Sequence, residues 1–209
     1  ATHYFVSQLF RDTELVIVQM DEPEFKKAFS PIIREEIFNE RSQPLVFEQQ
    51  EKFKELGFDP QAFAREINFF YLIDGGRHRI ERIEDRFMVL DTDIRLSANE
   101  MSELIQQHPE SFSPNVVMRP IYQEFVFPNL AYIGGGGELA YWMDRKTQFQ
   151  SFDILLPILL RRHSAFLIRQ KDYERLIEFS WSIKDWLSTP ENLSKKFIHS
   201  GYQEQLDFS

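Results

Sequence analysis

The 209-residue sequence predicts an α/β fold, a three-layer sandwich with partly parallel strand pairing and a small β-rich insertion. Three observations predict it. Short β-branched or aromatic runs alternate with segments of helical apolar spacing, the pattern that lays helices against a sheet. The stretch 65–96 instead crowds short strands around an Asp74-Gly75-Gly76 turn, the signal of a hairpin. Apolar residues make up 43% of the chain, including 21 Phe, enough for a core of large aromatic side chains.

In chain order, Leu15-Val16-Ile17-Val18 reads as a buried strand, and Asp21, ahead of Pro23, as a helix cap. The helix that follows reaches about Glu40 and is interrupted by Pro31. Leu45 to Leu56 is a second helix, closed by Gly57. Ile67 to Ile73, Arg77 to Ile83 and Arg86 to Leu90 are strands, and Ser97 with Glu100 forms a capping box for a helix ending near His108. Tyr122 to Phe127 is a short helix or strand that stops at Pro128. Leu130 to Ile133 feeds four glycines, and Glu138 to Phe149 has helical character. Ile154 to Leu160 reads as a second buried strand and Ala165 to Ile168 as a third. Residues 171–187 form an amphipathic helix, with polar, Ser-rich turns beyond. There is no internal repeat.

Charge and composition exclude several functions. A net charge of −9 opposes non-specific nucleic-acid binding, which needs clustered Lys and Arg to displace phosphate counterions. It still permits a small anion held by a few local arginines. The chain has no cysteine, which removes disulfides, thiol nucleophiles and Cys-zinc sites and fits a cytoplasmic setting. Its five histidines have no close metal-ligand spacing. The first eleven residues lack a basic n-region, so no signal peptide is read there. The apolar run Ile154 to Leu160 is too short for a bilayer.

The chemistry is expected around Ser113 to Trp142. Gly134, Gly135, Gly136 and Gly137 lie between an apolar run and a helical pattern, where backbone N–H groups and a helix amino terminus can meet an anion. This is neither a dinucleotide fingerprint nor a P-loop, and a simple flexible turn is the alternative. Arg119, Tyr122, Gln123, Asn129, Tyr132 and Tyr141 supply a cation and hydrogen-bonding groups for a polar pocket. Glu138 is a base, an amine partner or an acid favoured by the helix dipole, and Trp142 is a core aromatic. Arg161 and Arg162 follow an apolar strand, where open α/β sheets bind ligands and Arg grips carboxylate or phosphate. Arg77, His78, Arg79 and Arg82 read as a solvated face, and Glu35, Glu36, Asp91 and Asp93 as surface acids.

The segment RPIYQEFVFPNLAYIGGGGELAYW, with SPNVVM before it and ILLPILLRRHSAFLI after it, resembles the bacillithiol synthase family. INFFYLIDGGRHRI and LVIVQMDEPEFKKAF resemble that family's central region, so the likeness covers most of the chain. The resemblance implies a Rossmann-like core with connective-peptide insertions, similar to class I aminoacyl-tRNA synthetases, and a carboxyl-terminal coiled coil that pairs subunits into a homodimer. On that basis 1–64 and 97–170 are part of the core and 65–96 is the small antiparallel insertion. Residues 171–209 are then a helix and tail leading toward the coiled coil.

The resemblance further implies the addition of cysteine to glucosaminyl-malate in the cytoplasm, completing bacillithiol; neither nucleic acid nor membrane is an expected partner. Amide formation requires carboxylate activation, so ATP or another nucleotide is the cofactor class the chemistry points to. Glu138, Arg161 and Arg162 are the expected catalytic residues, with the glycines and Arg119, Tyr122, Gln123, Asn129, Tyr132 and Tyr141 holding substrate. Family members are longer, with an early His-x-Gly-His segment not found here. The chain by itself is therefore expected to fold without completing the reaction. The alternative is a non-catalytic ligand-binding or assembly domain of a larger cytosolic protein.

Overall fold

The computed structural model describes residues 2–202, which fall into two compact units divided after Arg162. The first opens with helix α1 (Thr2–Leu9), none of whose side chains is buried. Leu15 to Val18 does not become a strand. It has no ladder partner among the described residues, and Val16 is 82% exposed. β-Branched residues favour a pleated surface only where neighbouring strands and burial complete it.

Helix α2 (Pro23–Asn39) starts on its proline, with Glu22 rather than Asp21 at the N-cap. Pro31 does not end it, because the proline faces outward while a buried stripe on the other side holds both halves. That stripe is Lys26, Phe29, Ile33, Glu36 and Ile37, so two charged residues occupy core positions. Arg82 closes the helix by donating to the carbonyls of Ile37 and Phe38, and it pairs with Glu40 at 3.4 Å. The expected solvated face on this hairpin therefore fails at Arg82. Helix α3 (Ser42–Glu55) ends near Gly57, whose φ of +84° suits glycine.

Strands β1 (Phe69–Ile73), β2 (Gly76–Ile83), β3 (Arg86–Val89) and β4 (Arg95–Leu96) form antiparallel hairpins. Asp74 and Gly75 turn the first with positive φ at both positions. Helix α4 (Ala98–Gln107) begins with the expected capping box of Ser97 and Glu100. After a 3₁₀ turn (Pro109–Ser111), β5 (Phe112–Pro114) pairs with β1 and completes a sheet of order β4-β3-β2-β1-β5. Helix α5 (Arg119–Val126), strand β6 (Ala131–Gly134), helices α6 (Gly136–Met143) and α7 (Lys146–Ser151) and strand β7 (Ile158–Arg161) follow. Among the described residues parallel pairing is confined to β6 and β7, in register from Ala131 with Ile158 to Gly134 with Arg161. Strand β7 is shorter and less buried than the run Ile154 to Leu160 predicts. Leu159 packs toward the core, while Ile158 and Leu160 face outward.

One hydrophobic cluster joins Phe29, Ile33 and Ile37 of α2 to sheet residues Phe69, Ile80 and Phe87 and to Met101 and Ile105 of α4. Ile121, Tyr122, Trp142 and Phe149 extend it under α5, α6 and α7. A buried polar network runs through it. Glu36, read from sequence as a surface acid, is fully buried and accepts from the Ser42 N–H and hydroxyl and from the Asn68 amide. Gln148 donates to the Ser42 hydroxyl. Asn115 donates to Asn68, and its own side-chain oxygen accepts from the N–H groups of Val117 and Met118. The network therefore fixes how the chain enters α5.

In the second unit, Ala165 to Ile168 is not a strand, and Leu167 is 95% exposed. The expected helix over 171–187 is two, α8 (Gln170–Glu178) and α9 (Ile183–Trp186), broken at Ser180 by a φ of 53°. Instead of polar turns, α10 (Pro190–Tyr202) follows, with Phe197 against Phe179 and Trp181 and Lys196 paired to Asp185 at 2.7 Å. Among the described residues no helix is long and apolar enough to cross a membrane.

Candidate functional site

Three elements converge on the site: α5, the β6–α6 turn and the β1–β2–β5 edge. Arg119, Tyr122 and Gln123 fall on one face of α5 through their i, i+3, i+4 spacing. Tyr132 leaves β6 and stacks on Trp142 of α6, with ring centroids 3.8 Å apart and planes 16° apart. A cleft of about 590 Å³ collects Arg119, Gln123, Tyr132, Glu138, Tyr141 and Trp142 against Arg77, Phe70 and Asn115. Five of the residues expected from sequence to hold or transform substrate therefore share one wall system.

Glu138 occupies the third helical position of α6. Its Oε2 accepts the Gly135 N–H at 2.8 Å and lies 3.9 Å from the Arg162 guanidinium. Its other carboxylate oxygen has no protein partner among the described residues. Burial, with the Glu138 charge second, raises the Tyr132 phenol to about 12 and raises that of Tyr141 in the same direction. Both are hydrogen-bond donors at neutral pH rather than bases. Burial likewise raises the Tyr122 phenol, which donates to the Met20 carbonyl at 2.6 Å and so faces a neighbouring cleft.

The glycines divide into two pairs. A Cβ at Gly134 would stand 2.7 Å from the Tyr132 ring, and one at Gly135 would stand 3.0 Å from the Arg162 guanidinium. At Gly136 and Gly137 it would meet only open space. These two supply first-turn N–H groups of α6 that helix geometry leaves without intrahelical acceptors. Gly135→Ala should therefore displace Arg162 and weaken ligand binding, while Gly136→Ala should bind normally. Calorimetric titration of both variants, with melting temperatures, checks this; equal affinities would show that the close approach at Gly135 has no role.

Besides Tyr122, two expected residues lie outside this cleft. Asn129 folds back on buried Glu124, donating to it from backbone and side chain at 2.9 Å each. Arg161 is exposed at the end of β7 and lines neither cleft.

The profile described as "Bacillithiol biosynthesis BshC, N-terminal Rossmann-like domain" matches residues 1–163. The chain belongs to the BshC family. Proteins named "Putative cysteine ligase BshC" are similar to it along nearly its whole length. That of Flavobacterium johnsoniae is 40% identical over 95% of this chain and 37% of its own length. That of Christiangramia forsetii is 36% identical over 100% of this chain and 39% of its own, and that of Cytophaga hutchinsonii 32% identical over 99% and 40%. The chain thus spans about two fifths of the curated relatives it matches. Membership places the mixed sheets within a Rossmann-like domain.

Several charged groups near the BshC-family cleft escape a reading of the sequence. Arg77, expected on a solvated face, borders the cleft, with its guanidinium 4.6 Å from the centre of the Phe70 ring and donating to the Pro114 carbonyl at 3.2 Å. Lys26 is 1% exposed on the core stripe of α2. Arg145 is fully buried one turn beyond Tyr141, and burial lowers its pKa to about 10. The signal for Lys26 was present: a charge at the i, i+3, i+7 positions of an apolar stripe. Arg77 and Arg145 carry no such local mark.

Proposed function

We propose that the chain forms the acceptor site of a cytoplasmic ligase that joins the carboxylate of cysteine to the amine of glucosaminyl-malate, the last step of bacillithiol biosynthesis. The observation that carries this reading is the cleft in which Arg119 and the Glu138 carboxylate face the same space. A fixed cation suits a malate carboxylate, and a carboxylate with one open oxygen suits an amine. Tyr132 and Tyr141 donate hydrogen bonds to sugar hydroxyls, with Gln123 beside them.

In this reading Glu138 orients the attacking amine and takes up its proton as the new C–N bond forms. The tetrahedral intermediate places negative charge on the former carbonyl oxygen. The N–H groups of Gly136 and Gly137 and the Arg162 guanidinium stabilise that oxygen. The cysteine carboxylate must carry a leaving group such as phosphate or adenylate, so a nucleotide is a co-substrate of the intact protein. We take that protein to be a homodimer.

A second reading, a non-catalytic ligand-binding or assembly domain, draws on Glu138 already serving as a helix cap. Incubating the intact protein with cysteine, glucosaminyl-malate and ATP and detecting bacillithiol by mass spectrometry separates the two. Substrate binding by calorimetry without product would favour the second and defeat the first.

A further inference from the structure

Beside the wide cleft lies a second lobe of about 380 Å³ between α2, β5 and α5, with Arg77, Pro114, Arg119 and Gln123 common to both walls. Lys26, Asp21, Tyr122 and Met20 line its far side. Lys26 is an unusual group to find there. Its side chain is 1% exposed, and its ammonium makes one hydrogen bond, to the Phe112 carbonyl at 2.8 Å, and lies 5.2 Å from the centre of the Tyr122 ring. The Asp21 carboxylate is 3.9 Å away on a side chain that is 95% exposed, so water competes for it. An ammonium carries three donors, and a desolvated cation so thinly partnered is costly. Burial accordingly lowers the Lys26 pKa.

The two arginines are also under-used. Arg77 gives one bond to Pro114, and Arg119 gives none to protein among the described residues. Three cations and one carboxylate leave this lobe with two positive charges in excess, within a chain of net charge −9. Two guanidinium forks can each take a pair of oxygens, while the ammonium acts as a point charge behind them.

We propose that this lobe is a dianion site, binding a ligand end with two negative charges close together: a dicarboxylate or a phosphoryl group. Lys26 and Arg77 are its specificity residues, and Arg119 bridges it to the wide cleft. The proposal rests on the ligase reading only for the larger molecule to which that end belongs. With the dicarboxylate end of the acceptor in this lobe, the rest of the molecule crosses Arg119 toward Glu138.

The test is calorimetric titration of the intact protein with succinate, inorganic phosphate and acetate at constant ionic strength. At least one dianion is expected to bind about tenfold or more tightly than acetate. Lys26→Met and Arg77→Gln should each weaken it about tenfold, the loss of one charge-assisted contact. Arg79→Gln, on the same strand but outside both clefts, should not. Tighter succinate binding assigns the lobe to a dicarboxylate, and tighter phosphate binding to a phosphoryl group. Acetate binding as well as either dianion, no dianion binding, or unchanged affinity in the variants overturns the proposal. Arg77 is exposed, so its variant keeps the test valid if Lys26→Met does not fold. Product formation judges the ligase reading separately and is unaffected by which lobe holds the dianion.

Discussion

In the intact protein, Glu138→Gln is expected to lower kcat about a hundredfold, the low end for loss of a general base. The melting temperature should stay within about 2 °C, since each kcal/mol moves it only by a few degrees. These two outcomes separate the roles the residue can have. As the third residue of α6, Glu138 closes a capping box on the Gly135 N–H. Glutamine at that position still offers an oxygen to the same N–H, so the helix start survives. The pair with Arg162, 3.9 Å long and largely exposed, contributes little stability. What glutamine cannot supply is a negative charge for the amine or a site for its proton. Glu138→Ala should lose both functions, adding roughly 1 kcal/mol of instability from the missing cap. Wild-type kcat in Glu138→Gln would reduce the residue to a structural cap and move the base to another group in the cleft.

How much of this site was readable follows from the range of the forces involved. The capping box at Ser97 and Glu100, the Asp74-Gly75 turn and the glycines ahead of α6 are local features, and the sequence states them directly. The grouping of Arg119, Gln123, Tyr132, Glu138 and Tyr141 was also accessible, because a short strand and two short helices carry them all. Arg77 arrives from a hairpin about forty residues earlier, placed by the β1–β5 pairing of Phe70 with Ser113, which no local pattern encodes. The errors at Leu15 to Val18 and Ala165 to Ile168 share one cause. A β-rich run records a preference for a sheet surface, whereas a strand also requires a neighbour to complete its ladder. Glu36 was misplaced for a different reason: beside Glu35 it looks like part of an exposed acidic pair. Helical rotation turns one inward and leaves the other half-buried at the surface.

That inward carboxylate supports the largest expected stability effect. Burial raises the Glu36 pKa from 4.5 to about 7, against the opposing hydrogen bonds from Ser42 and Asn68. The folded state therefore holds an extra proton between pH 4.5 and pH 7, while the unfolded chain has released it. By linkage, stability is highest below this window and falls as pH rises through it. The loss is about 3 kcal/mol, because each tenfold difference in proton affinity between the two states is worth roughly 1.4 kcal/mol. Glu36→Gln removes the titration, but its amide brings two N–H donors and one acceptor oxygen to a site full of donors, where the protonated acid has a single O–H and a second oxygen that still accepts. It should be less stable than wild type at pH 5 by roughly 1 kcal/mol, the value of one hydrogen bond. At pH 8 the order should reverse, since wild type must then bury a charge that the variant lacks. Urea unfolding of both proteins at pH 5, 6, 7 and 8 measures the difference directly. Other titrating groups, such as Asp144, cancel in the comparison to the extent that they do not couple to Glu36. Parallel stability curves would mean that Glu36 keeps an ordinary carboxylate pKa and that its hydrogen bonds outweigh its burial. A crossing near pH 6 to 7 would mean that the anchor of the Ser42–Asn68–Asn115 network, which sets the start of α5, is strongest when it is protonated.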